Sequence, residues 1–372
     1  MTFCIITHVA HGYENDEYYA YSPYVKEMNI WLKHVDKVIV VAPKKLSEKT
    51  KIHIAYQHPN IEFREVPDFN LTSIKAIFRS LFLLPKLLMI IFKAMKASDH
   101  IHLRCPGNMG LLGCFVQLFF PSKPKTAKYA GNWDPKSKQP MSYKLQRFML
   151  SNTFFSRKMQ VLVYGKWPDS SKNIKTFFTA TYFEKDKEPI ENRTLTKIID
   201  FIFVGTLSAG KQPFYAIKLV EWLKNKGWNV RLMLFGDGNE RAHLEHYIKK
   251  NNLNYFVFFK GNQEQHTVKE AFQKSHFVLL PSKSEGWPKV VAEGMFWGCL
   301  PISTAVSCVP NMLQFNERGV LLSLDLEEDV KKIESVLNDV EEYQNKVSKA
   351  VNWSRLYTLD YFEAEIEKLL VQ

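Results

Sequence analysis

The chain is 372 residues long, 46% hydrophobic and 14% aromatic, with 50 Lys and Arg against 38 Asp and Glu, a formal net charge of +12. That length favours two globular domains and the apolar fraction fills two cores, which excludes disorder, collagen and a small disulfide scaffold. Residues 1–180 hold 26 basic and 12 acidic side chains, a balance of +14, and residues 181–372 balance at −2. The excess that would point to nucleic acid, an anionic membrane or a phosphorylated substrate therefore lies wholly in the first half.

In chain order, Met1–Val9 lacks a basic n-region and a cleavage site and reads as a first strand rather than a signal peptide. Short β-branched or aromatic runs then alternate with helical patterns. Strands are predicted at 3–7, 37–42, 61–66, 100–104, 125–130, 161–164 and 176–179, with helices at 18–34, 74–96, 109–119 and 143–155. The apolar stretch 74–97 is interrupted by Lys75, Arg79, Pro85, Lys86, Lys93 and Lys96 and falls short of a membrane-spanning helix. It reads either as a helix packed on the sheet with its lysines in water, or as an amphipathic face docking on an anionic inner leaflet.

The charged segment 184–196 reads as an interdomain linker. A second series follows, with strands at 198–204, 230–235, 256–260, 277–280, 300–304 and 319–322 and helices at 212–225, 240–249, 268–273 and 289–297. A last amphipathic helix covers 351–370. The expected fold class is α/β, two Rossmann-like doubly wound domains facing across a cleft. The predicted domains are 1–183, the linker 184–196, 197–350 and a helix in 351–372 that caps its own domain or crosses back to the first. Ligands of such sheets sit beyond the carboxyl ends of the strands, so the chemistry is expected in post-strand loops.

Three such loops stand out in the second half. Pro281–Pro301 follows an apolar strand, turns through Glu285, Gly286 and Trp287, and enters a helix with Pro288 at its first turn. The amides around Gly286, Trp287, Lys289 and Val290 would form an anion site on the helix dipole. Glu285 and Glu293, eight positions apart, either divide labour between a sugar and a ribose diol or are a helix cap and an ordinary surface charge. The second loop, Gly205-Thr206-Leu207-Ser208-Ala209-Gly210-Lys211, suits a diphosphate but is not a Walker A loop; its plainer reading is a turn with a solvated lysine. The third, Gly236-Asp237-Gly238, is a tight turn read as mainly structural.

In this order and spacing the three loops resemble the C-terminal domain of the family-4 retaining glycosyltransferases of GT-B fold, also described as glycosyl transferases group 1. The resemblance covers about 198–322 well and the first half loosely. It rests on Glu285–Glu293 as the family's E-x7-E, on SEGWP, on FWGCLPIS in place of a small-residue ACGLPVI, and on SCVPNML followed by Gly319. It implies transfer of a sugar from a UDP- or GDP-linked donor with retention of configuration and no metal or other cofactor. Glu285 would then act at the donor sugar as the catalytic residue. Glu293 would bind the ribose, Lys211 with Gly205, Thr206, Gly236 and the amides of Gly286, Trp287 and Val290 the diphosphate, and Asn262 the base. Thr206 stands where the family often has an arginine, with Lys289 as a substitute, and Ser307-Cys308 stands where it usually has Gly-Gly.

In the first half, His8, His11 and Gly12 lie in the loop after the first strand, each histidine read as a ligand contact or as an ordinary strand-end residue. Arg104, Asn108 and Asn132 follow later strands and are read as polar cleft residues on the acceptor side, and Trp133 as acceptor platform or core. The expected partners are a nucleotide-sugar, a glycan or polyprenyl-diphosphate-linked acceptor and an anionic membrane met peripherally, with no nucleic acid. Five scattered cysteines without C-x-x-C spacing read as reduced, buried hydrophobes of a cytoplasmic protein; the resemblance implies bacterial surface polysaccharide biosynthesis, with a peripheral setting at the inner face of the plasma membrane. The alternatives are a nucleotide-sugar epimerase or phosphorylase on the same fold, or a basic nucleic-acid-binding protein.

Overall fold

The computed structural model describes residues 1–45, 48–50, 52–67, 74–168 and 170–371, with 74–81 described by backbone alone. The chain divides into two compact units, Met1–Phe178 with Phe362–Gln372, and Thr179–Tyr361.

The elements of the first unit are β1 (Thr2–Ile6), β2 (His11–Glu14), β3 (Glu17–Tyr21), α1 (Ser22–Leu32), β4 (Lys37–Pro43), β5 (His53–Ala55), β6 (Ile61–Val66), α2 (Ile74–Lys96), β7 (His100–Cys105), α3 (Asn108–Val116), β8 (Lys125–Tyr129), α4 (Met141–Ser151), β9 (Met159–Tyr164) and β10 (Ile174–Phe177). Seven of these strands form a parallel sheet in the order β10-β9-β8-β7-β1-β4-β6. Strands such as Val38–Ala42 are apolar at every position because helices cover both faces of a parallel sheet. Leu87, Ile91 and Met95 of α2 pack into the same core as Ile6, Ile39 and Leu103.

A small antiparallel sheet, β2-β3-β5, stands beside the large one. It replaces the first part of the helix predicted over 18–34, and it turns on Asn15 and Asp16, both at positive φ (51° and 60°). That Asn-Asp pair between tyrosine-rich runs is a two-residue hairpin signal that outweighed the helical spacing.

The second unit contains β11 (Ile199–Val204), α5 (Pro213–Asn225), β12 (Val230–Phe235), α6 (Arg241–Lys250), β13 (Val257–Gly261), α7 (Gln265–Lys274), β14 (Phe277–Leu280), α8 (Lys289–Phe296), β15 (Leu300–Thr304), α9 (Val309–Met312), β16 (Val320–Leu322), α10 (Leu326–Asn338) and α11 (Val340–Ser354), before α12 (Leu359–Leu370) returns the chain to the first unit. Its six strands are all parallel, in the order β13-β12-β11-β14-β15-β16.

Two sequence expectations shift. Residues 184–196 belong to the second unit: the Arg193 guanidinium donates to the carbonyls of Phe272 and Gln273 at 3.3 and 2.8 Å and also to those of Trp297 and Gly298, which locks this polar segment onto the ends of α7 and α8. The helix predicted over 351–370 is two helices, α11 and α12, broken at 355–358, where Leu359 N–H bonds the Tyr182 carbonyl at 2.8 Å.

Candidate functional site

In the second sheet the strand order reverses between β11 and β14, which opens a crevice at their carboxyl ends. The loop 205–212 leaves β11 on one side and the loop 281–288 leaves β14 on the other. Backbone bonds hold both in place. Leu207 N–H donates to Asp237 O and Glu240 N–H to Leu207 O, each at 3.0 Å, and Lys283 N–H donates to Gly210 O at 2.9 Å. Gln212, at φ 52°, reaches across with its side chain to the Pro281 carbonyl. The glycines after β12 make this approach possible: a Cβ on Gly236 would lie 2.0 Å from Gly205 O, and one on Gly238 would lie 2.4 Å from Leu207 O. Gly205 and Gly236 thus meet backbone to backbone.

Across the crevice Lys211 Nζ meets Glu285 Oε1 at 2.6 Å, with the lysine 31% and the carboxylate 9% exposed. A salt bridge in so shielded a place holds one carboxylate and one ammonium ready beside the helix that begins at Lys289, where the first-turn amides lack intrahelical acceptors. Lys289 and Val290 open that first turn, with Val290 packed inward, and Gly286 and Trp287 lie in the turn before it. The Trp287 ring joins Trp353 and Tyr357 at centroid distances of 6.2 and 5.7 Å, which anchors the turn from outside.

The turn has a second anchor. Ser307 Oγ donates to the Gly286 carbonyl at 2.8 Å and Cys308 Sγ lies 3.4 Å from the same oxygen. Ser307 takes φ 50°, a conformation glycine adopts freely and serine does not. The substitution for Gly-Gly thus supplies a clasp on the residue that follows Glu285. Burial pushes the Cys308 thiol up to about 12, with the Glu285 carboxylate a lesser contributor, so it acts as a neutral donor.

Glu293 lies in the middle of α8, where its Oε1 accepts from Thr181 Oγ1 at 2.7 Å. Thr181 has no motif that would have marked it in the sequence. Thr206 is exposed at the lip of the loop, and Asn262 is exposed just beyond β13. The loop of Asn262 joins that of Gly236 through the bond from Gly236 N–H to Gly261 O, 2.8 Å. One run of loops along the sheet edge therefore carries Asn262, Gly236, Gly205, Lys211 and Glu285.

The strand order of the first sheet reverses between β1 and β7. A pocket of about 220 Å³ lies there, lined by His8, Pro43, Pro106, Gly107, Asn108 and Tyr143 among others. A Cβ on Gly107 would lie 2.8 Å from His8 Nδ1, so glycine lets the histidine close against the start of α3.

Of the first-half candidates, His8 and Asn108 line this pocket, and the others lie elsewhere. His11 is buried on β2, its Nδ1 2.8 Å from Val9 O and its Nε2 2.7 Å from Tyr56 Oη; burial lowers it to about 4, so it is a neutral core residue. Gly12 is a strand residue covered by Tyr19, whose Cζ is 2.1 Å from where a Cβ would stand. Arg104 is committed inward, its Nη1 2.7 Å from buried Glu27 Oε1 and its guanidinium over the Tyr24 ring at 5.5 Å. Asn132 caps a turn, its Oδ1 accepting from Asp134 N–H at 2.9 Å. Trp133 is core, edge-on to Tyr129 at 4.8 Å.

Among the described residues no group of three or more His, Cys, Asp or Glu side chains could hold a metal ion. None of the described helices is long and apolar enough to cross a membrane.

Residues 184–353 match the family model described as glycosyl transferases group 1. Over 174 residues the chain is 29% identical to a GalNAc-alpha-(1->4)-GalNAc-alpha-(1->3)-diNAcBac-PP-undecaprenol alpha-1,4-N-acetyl-D-galactosaminyltransferase of Campylobacter jejuni, a match covering 46% of this chain and 47% of that protein. It is 23% identical over 372 residues to protein CapJ of Staphylococcus aureus, covering 96% and 91%. The chain thus spans about half the length of the first relative and nearly all of the second. Among solved structures, HepE of Anabaena in complex with UDP superposes with a TM-score of 0.70 at 14% identity, with both chains covered in full. The fold is GT-B.

Proposed function

We propose, with residues 184–353 belonging to the glycosyl transferases group 1 family, that the protein is a glycosyltransferase. It moves a sugar from a nucleotide-sugar to a glycan or polyprenyl-diphosphate-linked acceptor, with retention of configuration and no metal. The observation that carries this reading is the Lys211–Glu285 pair, 2.6 Å apart, at the point where the second sheet's strand order reverses and beside a helix N-terminus. The acceptor class is that of the C. jejuni relative, whose substrate is linked to undecaprenyl diphosphate. UDP, which HepE binds, is the first nucleotide to test, with GDP beside it.

The residues fit the chemistry. Breaking the bond from the anomeric carbon to phosphate leaves negative charge on the diphosphate and positive character on the sugar. Lys211 and the amides at the start of α8 stabilise the leaving group where its charge appears, which is the part a metal would otherwise play. Glu285, released from Lys211 by the incoming diphosphate, faces the electron-poor sugar. Glu293 takes the ribose hydroxyls and Asn262 the base. The acceptor hydroxyl attacks the same face that the phosphate leaves, and its proton passes to the departing phosphate oxygen. Asn108 and the pocket at the first sheet's reversal form the acceptor side.

Surface polysaccharide assembly at the inner face of the membrane is the proposed setting, and a peripheral contact through α2 accompanies it, supported by the exposed side chains of Phe82 and Met89 beside Lys86 and Lys93. No observation favours the epimerase, phosphorylase or nucleic-acid readings. The test is turnover of UDP- and GDP-sugars onto lipid-linked oligosaccharide, with and without EDTA. Nucleotide release and a glycosylated product carrying the donor's anomeric configuration are expected, unchanged by EDTA; a free epimerised nucleotide-sugar as sole product would overturn the reading.

A further inference from the structure

At the edge where β7, β8 and β9 begin, the first unit carries an open cavity of about 600 Å³. Lys125, Arg157, Lys158 and Lys172 line it, and among the described residues no Asp or Glu does. Lys125, the first residue of β8, is 2% exposed, and its ammonium donates to the Phe120 carbonyl at 2.6 Å. Burial and the neighbouring Lys158 hold that ammonium down to about 8. The Lys158 backbone lies beside that of Lys125, since Lys125 N–H donates to Lys158 O at 2.9 Å, and it is left-handed at φ 51°.

A sheltered ammonium is ordinarily matched by a carboxylate. Here it has a carbonyl and three further cations around a hollow, an arrangement whose mutual repulsion a multiply charged anion relieves. We infer that this cavity binds a phosphate-bearing ligand, with Lys125 at its floor and Arg157 offering its planar donor fork to phosphate oxygens. Its volume falls in the range of small-molecule sites and admits a diphosphate together with the sugar or headgroup it is attached to. Strands of five or six residues separate it from the His8–Asn108 pocket at the opposite sheet edge, roughly 17 Å away at about 3.3 Å per residue. It is therefore a docking site apart from the transfer chemistry, and it does not rest on the glycosyl-transfer reading. The phosphate belongs either to a soluble ligand or to a lipid headgroup; Phe154, 67% exposed with Arg157 over its ring, flanks the cavity as a lipid contact would.

The test is calorimetric titration of the full chain with sodium pyrophosphate at constant ionic strength, with co-sedimentation on phosphatidylcholine vesicles with and without phosphatidylglycerol in parallel. Both are run in a Lys211→Gln background so that the second unit's loops do not contribute. The double substitution Arg157→Gln with Lys172→Gln changes two exposed side chains, and an unchanged circular dichroism spectrum and melting midpoint confirm its fold. A loss of about tenfold or more in pyrophosphate affinity, as expected for removing two charge-assisted contacts, supports the site with a soluble ligand. Loss of binding to anionic vesicles alone supports it with a lipid source. Binding of both probes unaffected by the substitutions, or binding of neither probe by the parent, overturns it.

Discussion

Lys211 and Glu285 neutralise each other in a half-buried crevice; in the proposed reaction a diphosphate would offer the lysine a stronger partner and free the carboxylate to face the sugar. The two roles separate kinetically. Lys211→Ala is expected to raise the donor KM and lower kcat together, whereas Glu285→Gln should lower kcat by about 10²–10³ with little change in nucleotide affinity. Steady-state kinetics alongside UDP titration distinguish the two, and near-normal turnover by Glu285→Gln would remove its role. Ser307→Ala, which leaves the Gly286 carbonyl only the weak Cys308 thiol donor, should cost about 1 kcal/mol of stability in urea unfolding. Three buried histidines of the first unit are a separate matter. Burial lowers His11 and His100 to about 4 and His102 to about 3. Thr126 Oγ1 bridges the last two at 3.0 and 2.8 Å. Each is neutral when folded but takes up a proton near pH 6.5 when unfolded, so the stability they confer is complete above that pH and is lost as pH falls toward 4. The loss is on the order of 3 kcal/mol for His11 alone. Urea midpoints should fall steadily from pH 7 to pH 5, and a flat profile would contradict this account.

At the scale of elements, two glycines set how closely the loops and the helix of the site can approach the sheet. Gly236, at φ 121° with the Gly205 carbonyl 2.0 Å from a would-be Cβ, has no room and no permissible backbone for a side chain. Gly294 brings α8 onto β14, with Val278 Cγ1 2.6 Å from a would-be Cβ, but its backbone is helical and a side-chain methyl can shift. Gly236→Ala should therefore destabilise by about 3 kcal/mol or more and abolish nucleotide binding, and Gly294→Ala by about 1–3 kcal/mol with weakened binding. Differential scanning fluorimetry with and without UDP checks the order, and an equal effect of both would show that contact alone, not backbone conformation, decides. Near the N-terminus, aromatic residues at 18, 19, 21 and 24 satisfy a helical period and a strand period alike. The Asn15-Asp16 turn then took the first of them into β3 and placed His11 and Gly12 on β2, paired with Ala20 and Tyr19.

Over the whole chain, α12 is the segment that returns to the first unit, where Phe362, Ile366 and Leu369 are buried. Phe362 lies against Phe177 and Phe178 at 5.4 and 5.7 Å, and Glu363 and Glu365 pair with Lys33 and Lys175 at 2.7 and 2.8 Å. Removing 362–372 uncovers those phenylalanines. A chain ending at Tyr361 should show a lowered midpoint for the first unit's unfolding, with the second unit's unchanged, in calorimetry. A single transition with an unchanged midpoint would deny the helix that role. Four of the first half's basic side chains, Lys125, Arg157, Lys158 and Lys172, line a cavity at the sheet's amino-terminal edge, away from the strand ends where the transfer chemistry is proposed.

The alternation of strand and helix, and the loop segments around Lys211 and Glu285, could be read from the sequence because each is local: a hydrophobic period, a proline at a helix start, a glycine in a turn. Contacts over long separations could not. The 2.6 Å meeting of residues 74 positions apart, the Ser307 clasp on Gly286, the Thr181 bond to Glu293 and the inward commitment of Arg104 to Glu27 depend on strand order and on which loops that order sets side by side. Local pattern determined which elements form and which residues could do chemistry. Only the packed sheets decided which of those residues meet, because burial and hydrogen bonding with distant partners either aim a polar side chain at a crevice or spend it in the core.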